Sequence, residues 1–168
     1  MRDTFLGKIG KMARNLQELC LRRLPITDAS FGDLADSLAH ISRLDISDCC
    51  LIQEGSVIKF LKNNGQTLER FSASGCIDAI TDKSVTEIAN LGYEVWDESD
   101  VDHERDPTFA LNDRLQFLDI SYAKLLTDEG LNAFKDKTIP LTHLCVNGLS
   151  MVTGAGLQWP VWAAQHTL

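Results

Sequence analysis

The chain has 168 residues, of which 44% are hydrophobic and 24% charged, and its 16 basic and 24 acidic residues leave a formal charge of −8. This is the composition of one globular domain and excludes a disordered chain; no window reaches the ~18 unbroken apolar residues that a membrane span needs. The acidic balance is the wrong sign for a phosphate-backbone binder, so no direct contact with nucleic acid is expected. The opening residues lack the apolar core of a signal peptide, which predicts an intracellular protein, cytoplasmic or nuclear. Five cysteines (Cys20, Cys49, Cys50, Cys76 and Cys145) include no C-x-x-C pair. Neither a disulfide framework, a metal site nor a cofactor is expected.

In chain order, Phe5, Leu6, Ile9 and Met12 fall at three- and four-residue spacing and predict a helix within residues 1–15, the remnant of an incomplete repeat. Leu16-Gln-Glu-Leu19-Cys-Leu21 then has the form L-x-x-L-x-L, and Ile26-Thr27-Asp28 follows as a helix start, since Thr or Asp there can accept from the free N–H groups of a first turn. Phe31, Leu34, Ala35 and Leu38 give the helix its apolar stripe. The same order returns from Ile41, with Ile52-Gln53-Glu54 and then Val57, Ile58 and Leu61, and from Leu68, with Ile80-Thr81-Asp82 and then Val85, Ile88 and Ala89. It returns twice more, from Leu115, with Leu126-Thr127-Asp128, Leu131 and Phe134, and from Leu141, with Val152-Thr153-Gly154.

The starts at 16, 41, 68, 115 and 141 are 25, 27, 47 and 26 residues apart, so one interval carries an insertion. A single unit has a strand with alternating apolar positions and a one-sided helix, too little to bury either alone; stacking buries both. The expected fold is therefore α/β, a curved solenoid with parallel strands on the concave face and helices on the convex face. Residues 1–168 form one domain in this reading: repeats 1–3 over 16–91, an acidic insertion over 92–114, repeats 4 and 5 over 115–157, and a C-terminal cap over 158–168, where Trp159 and Trp162 would cover the last repeat and Pro160 opposes a long helix.

The run L-x-x-L-x-L-x-x-C-x-x-I-T-D, nearly whole from Leu68 to Asp82 with Cys76 at its ninth place, is similar to the cysteine-containing leucine-rich repeats of F-box/LRR ubiquitin-ligase receptors. The resemblance spans about residues 15–157 and implies a leucine-rich-repeat solenoid that binds protein partners, ubiquitin-ligase components among them, as part of a larger complex. Residues 1–15, ahead of the first repeat, carry no F-box motif. The resemblance also implies an inward ninth side chain (Leu24, Cys49, Cys76, Ala123 and Leu149), with a buried thiol bonding a carbonyl of the next turn.

Alternation along the strands places the fourth and sixth side chains inward and the third, fifth and seventh on the concave face. The third column reads Glu18, Arg43, Arg70, Phe117 and His143; the fifth Cys20, Asp45, Ser72, Asp119 and Cys145; the seventh Arg22, Ser47, Ser74, Ser121 and Asn147, with Arg23 and Tyr122 just beyond. Arg22, Arg43, Asp45, Arg70, Phe117, Asp119, Tyr122 and His143 are the candidate partner-binding residues of this face, because arginines and aromatics dominate interface energetics. A second candidate contact is the insertion, with Trp96, Asp97, Glu98, Asp100 and Asp102; its Asp100, Asp102 and Glu104 alternate like calcium ligands, but Arg105 and Leu111 stand where a calcium loop needs Gly and Glu. His143 and Cys145 share a face, yet a flat strand surface offers no oxyanion site, and no catalytic motif is present, so no enzyme is expected. The competing readings are a structural subunit of a multiprotein assembly and, more narrowly, the leucine-rich-repeat subunit of a DNA-repair ubiquitin ligase.

Overall fold

Each L-x-x-L-x-L segment becomes a three-residue strand with its middle side chain turned to the core. The computed structural model describes residues 4–91, 114–135, 137 and 139–158. Within them lie the strands β1 (Glu18–Cys20), β2 (Arg43–Asp45), β3 (Arg70–Ser72), β4 (Phe117–Asp119) and β5 (His143–Cys145), and the helices α1 (Thr4–Met12), α2 (Asp28–Ser37), α3 (Glu54–Asn64), α4 (Asp82–Ala89) and α5 (Asp128–Asn132). The strands form one parallel sheet in sequence order, so the fold is α/β and leucine-rich-repeat-like. β3 pairs with β4 in the register used everywhere else, so the long interval between repeats 3 and 4 does not interrupt the sheet. The candidate contacts Trp96, Asp97, Glu98, Asp100 and Asp102 lie outside the described residues, as do Trp159 and Trp162.

The core follows the expected alternation. Leu44, Phe71 and Leu118 at the fourth position and Leu21, Ile46, Ala73 and Ile120 at the sixth are buried, together with the helix stripes Phe31/Leu34/Ala35, Val57/Leu61, Val85/Ile88/Ala89 and Leu131/Phe134. Leu19 on β1 and Leu144 on β5 are only partly buried, since an edge strand has a neighbour on one side alone. Two expectations are corrected here. Met12 is 85% exposed at the last residue of α1, whereas Leu6 and Ile9 meet the core, and Leu24 is 45% exposed at the end of the array, where no described strand precedes β1. Among the described residues no helix is long and apolar enough to cross a membrane.

Thr27, Thr81 and Thr127 do cap α2, α4 and α5, each accepting a first-turn N–H, and Thr81 and Ser84 close a reciprocal capping box. The acidic residue beside each cap instead reaches forward to the following repeat. Asp28 accepts from Gln53 N–H at 2.8 Å and the Ser56 hydroxyl at 2.5 Å, Glu54 from the Thr81 hydroxyl, Asp82 from Thr127 N–H at 2.8 Å and its hydroxyl at 2.7 Å, and Asp128 from Thr153 N–H at 2.7 Å and its hydroxyl at 2.5 Å. These charge-assisted bonds tie neighbouring units at the helix starts. The Thr153 bonds hold the Asp128 carboxyl below its ordinary range.

Where the chain leaves each strand, its eighth repeat residue is left-handed: φ is 61° at Arg23, 61° at Asp48, 75° at Gly75, 60° at Tyr122 and 65° at Gly148. A Cβ on Gly75 would stand 2.6 Å from Asp48 Oδ1, and one on Gly148 would stand 2.5 Å from the Tyr122 ring. Two helical glycines give an opposed pair of expectations. A methyl group on Gly55 in α3 would meet nothing within 4 Å, so Gly55→Ala should stabilise by about 0.5–1 kcal/mol by stiffening the unfolded chain. Gly130 in α5 would set its Cβ 2.7 Å from the Asp82 backbone, so Gly130→Ala should cost about 1–3 kcal/mol, both read from urea midpoints.

Cys49 and Cys76 are buried at the ninth position, as expected, but each thiol donates backwards to the preceding repeat, Cys49 Sγ to Leu21 O at 3.0 Å and Cys76 Sγ to Ile46 O at 2.9 Å. The carbonyl at the end of the earlier strand is the nearest acceptor once the units stack. Burial pushes the Cys76 thiol up from 9.0 to about 12. The folded state thus keeps a proton that the unfolded chain releases above pH 9, so this contribution is complete below pH 9 and fades as pH rises towards 12. Over that window wild type should lose more stability than Cys76→Ala in paired urea titrations. Iodoacetamide on the folded protein should label exposed Cys20 and Cys50 and spare Cys49 and Cys76.

Candidate functional site

The strand register puts Glu18, Arg43, Arg70, Phe117 and His143 into one row across the sheet, on the side opposite the core. Cys20, Asp45, Ser72, Asp119 and Cys145 form the next row. The seventh-position residues do not make a third exposed row. Ser47 and Ser121 are 3% and 2% exposed, because the left-handed residue that follows rotates the chain off the strand; Ser47 Oγ meets Ser72 Oγ at 2.8 Å, and Ser121 Oγ accepts from Asn147 N–H at 3.1 Å. Arg22 stays exposed, and Tyr122 stands 55% exposed on the turn rather than on the strand face.

Contacts along the first row are consecutive. Arg43 lies 3.6 Å from Glu18 and 3.9 Å from Glu69, the Arg70 guanidinium sits 4.3 Å above the Phe117 ring, and that ring is 6.1 Å from His143. Arg22 and Arg23 converge on Asp48 at 3.9 and 3.3 Å. Pairs as exposed as these are worth about 0–1 kcal/mol, so they orient the guanidinium groups yet yield to a competing ligand. Asp45 and Asp119 each accept the N–H two residues ahead, of Ser47 at 2.9 Å and Ser121 at 3.0 Å, so both carboxylates also shape the strand ends. Glu18, Arg22, Arg43, Asp45, Arg70 and Phe117 line a shallow groove of about 380 Å³. Glu69, which holds Arg43, was legible only as a second-position residue of the repeat; no motif marks it.

Partial burial and the nearby Asp119 carboxylate both push the Cys145 thiol up, which favours the unreactive thiol form. Thr142 gives its only hydroxyl proton to either Gln116 O, 3.0 Å away, or His143 Nδ1, 2.9 Å away. Donation to the carbonyl makes Thr142 the acceptor for an Nδ1–H and leaves Nε2 as the imidazole's open position. Among the described residues no group of three or more His, Cys, Asp or Glu side chains gathers to hold a metal ion.

Among the described residues the arrangement is an α/β, leucine-rich-repeat-like fold that leaves one face of its sheet uncovered. No family model matches the chain, and no curated protein matches its sequence. Solved structures do share the fold. The Rad7 and Elc1 complex of yeast matches with a TM-score of 0.61 and 14% identity over 83% of this chain and 30% of that one. The tropomodulin C-terminal domain of Caenorhabditis elegans matches with a TM-score of 0.62 and 8% identity over 98% and 92%. Leiomodin-1 actin-binding site 2 matches with a TM-score of 0.57 and 13% identity over 96% and 87%. At these identities the likeness is one of fold, and the chain spans under a third of the Rad7–Elc1 chain it matches.

Proposed function

We propose that this chain is a non-enzymatic recognition module, a curved leucine-rich-repeat solenoid that holds a protein partner on the concave, open face of its sheet. The observation that carries the reading is the row Glu18–Arg43–Arg70–Phe117–His143: five repeats set ionic and aromatic groups side by side on a rigid surface, where their ordering entropy is already met before a partner arrives. The neighbouring Asp45 and Asp119 give the face both signs of charge, so a partner must match two rows at once, which favours specificity.

The finer assignment, a substrate-recognition part of a ubiquitin-ligase complex, draws on the resemblance of the repeats to F-box/LRR receptors, and the fold shared with the Rad7–Elc1 complex supports a place in a protein assembly. A second reading, a structural subunit held within a larger assembly, is favoured by Leu144, Val146, Leu149 and Val152 at the end of the array, which are only partly buried. One experiment separates them: crosslinking from cell extract with contacted residues mapped, run on wild type and on the Arg22→Glu, Arg43→Glu, Arg70→Glu variant. Crosslinks on the open face that vanish in the variant are the expected result. Equal recovery, with crosslinks confined to the helices or the end of the array, would overturn the recognition module in favour of the subunit.

A further inference from the structure

We infer that Arg70, seated on Phe117 beside His143, anchors a carboxylate side chain from an acidic peptide segment of the bound protein. The inference rests on the open-face reading and narrows the chemistry of its partner. The other arginines of this surface already have carboxylates: Arg43 has Glu18 and Glu69, and Arg22 and Arg23 share Asp48. Arg70 has none within ion-pair distance among the described residues, and its contact is with the Phe117 ring at 4.3 Å. With its Cζ over the ring, the guanidinium keeps N–H donors directed away from the π face, and its planar fork matches the two oxygens of a carboxylate. The ring also holds the group in place, so less side-chain freedom is lost when a ligand arrives.

Position within the groove supports the same choice. Arg43 lies on the adjacent strand, one row-place away, and adds a second cation whose exposed pairs are weak enough to exchange. Asp45 and Asp119 stand two residues further along the strands that carry Arg43 and Phe117, on the same face. A phosphate of nearly two charges doubles both its attraction to Arg70 and its repulsion from Asp45 and Asp119, so charge does not rank the two ligands; the anchored group is the singly charged Glu or Asp, with the phosphorylated residue an outcome of the test.

The test uses the full chain with ¹⁵N-labelled arginine and, as probe, a short Gly/Ser peptide with blocked ends carrying a pair of glutamates, beside its glutamine and phosphoserine twins. The expected result is a saturable shift of the Arg70 Nε–H resonance with the glutamate peptide alone or at the lowest concentration. Arg70→Lys should weaken binding by about tenfold through loss of the fork, and Arg70→Gln should abolish it, with far-UV circular dichroism unchanged because the side chain is exposed. Absence of a saturable shift, equal binding of the glutamine twin, tighter binding of the phosphoserine twin, or an unaltered affinity in Arg70→Gln would each overturn the anchor. If cellular crosslinks nonetheless map to the open face, the anchor falls and the face remains; crosslinks mapping elsewhere remove the face itself, whatever the peptide does.

Discussion

Phe60→Ala is expected to cost about 3–5 kcal/mol, a large part of the roughly 5–15 kcal/mol that holds a domain folded. Phe60 is fully buried on α3, and its ring centroid stands 5.8 Å from that of Phe31 on α2 at a tilt of 34°. The substitution removes apolar contact area, leaves a cavity between consecutive repeats, and ends a ring pair worth about 0.5–1.5 kcal/mol beyond its area. Urea unfolding followed by circular dichroism measures the loss, and a double-mutant cycle with Phe31→Leu isolates the pair. A loss below about 1 kcal/mol would mean that the neighbouring helices close over the gap.

Asn64 carries the second large expectation. It is the last residue of α3, 1% exposed, and its side chain bridges the preceding unit: Oδ1 accepts from Ile41 N–H at 3.3 Å, while Nδ2 donates to Leu38 O at 3.0 Å and Phe60 O at 3.4 Å. Asn64→Ala strands a buried donor and a buried acceptor at about 1–3 kcal/mol each, so the combined loss should reach several kcal/mol. Asn64→Asp should be worse at neutral pH. Its carboxylate could serve Ile41 but would face the Leu38 and Phe60 carbonyls with no proton to give, inside an apolar core. Protonation restores one donor, so the folded-state pKa lies above the unfolded value of about 3.9; the variant is at its best below that value and loses stability as pH rises. Melting temperatures of the variant and wild type compared at acidic and neutral pH should show a gap that widens towards neutral.

The strands and the paired rows were legible because a repeat of near-constant length sets equivalent positions side by side: Arg43, Arg70 and Phe117 fall into register for the same reason that Leu44, Phe71 and Leu118 do. What the spacing left hidden depends on another unit's position in space. Asp28, Asp82 and Asp128 fit a helix-cap template on their own, and only stacking reveals that their oxygens serve the following repeat. Phe60 escaped because Val57, Ile58, Phe60 and Leu61 are too crowded with apolar groups to define one stripe. Ser47 and Ser121 were assigned to the open face by extending a two-residue alternation into a stretch where the backbone had already turned left-handed. On the candidate face, alternation supplied the rows, whereas the pairing of Arg43 with Glu69, and the contrast with Arg70, arise from side-chain reach across strands, which a periodic pattern does not encode.

The left-handed corners have a consequence for how this chain can be rearranged. Asp48 leans over Gly75 and Tyr122 leans over Gly148, whereas the adjacent bulky corners Arg23 and Asp48 are reconciled by their ion pair. The units are therefore tiles cut for a particular neighbour, despite their matching outlines. Excising the third one would bring Tyr122 directly after Asp48, two side chains competing for the berth that a single hydrogen now leaves open. Shortened or shuffled versions of this protein should be cut after a glycine corner, so that each donor and its host travel as a couple.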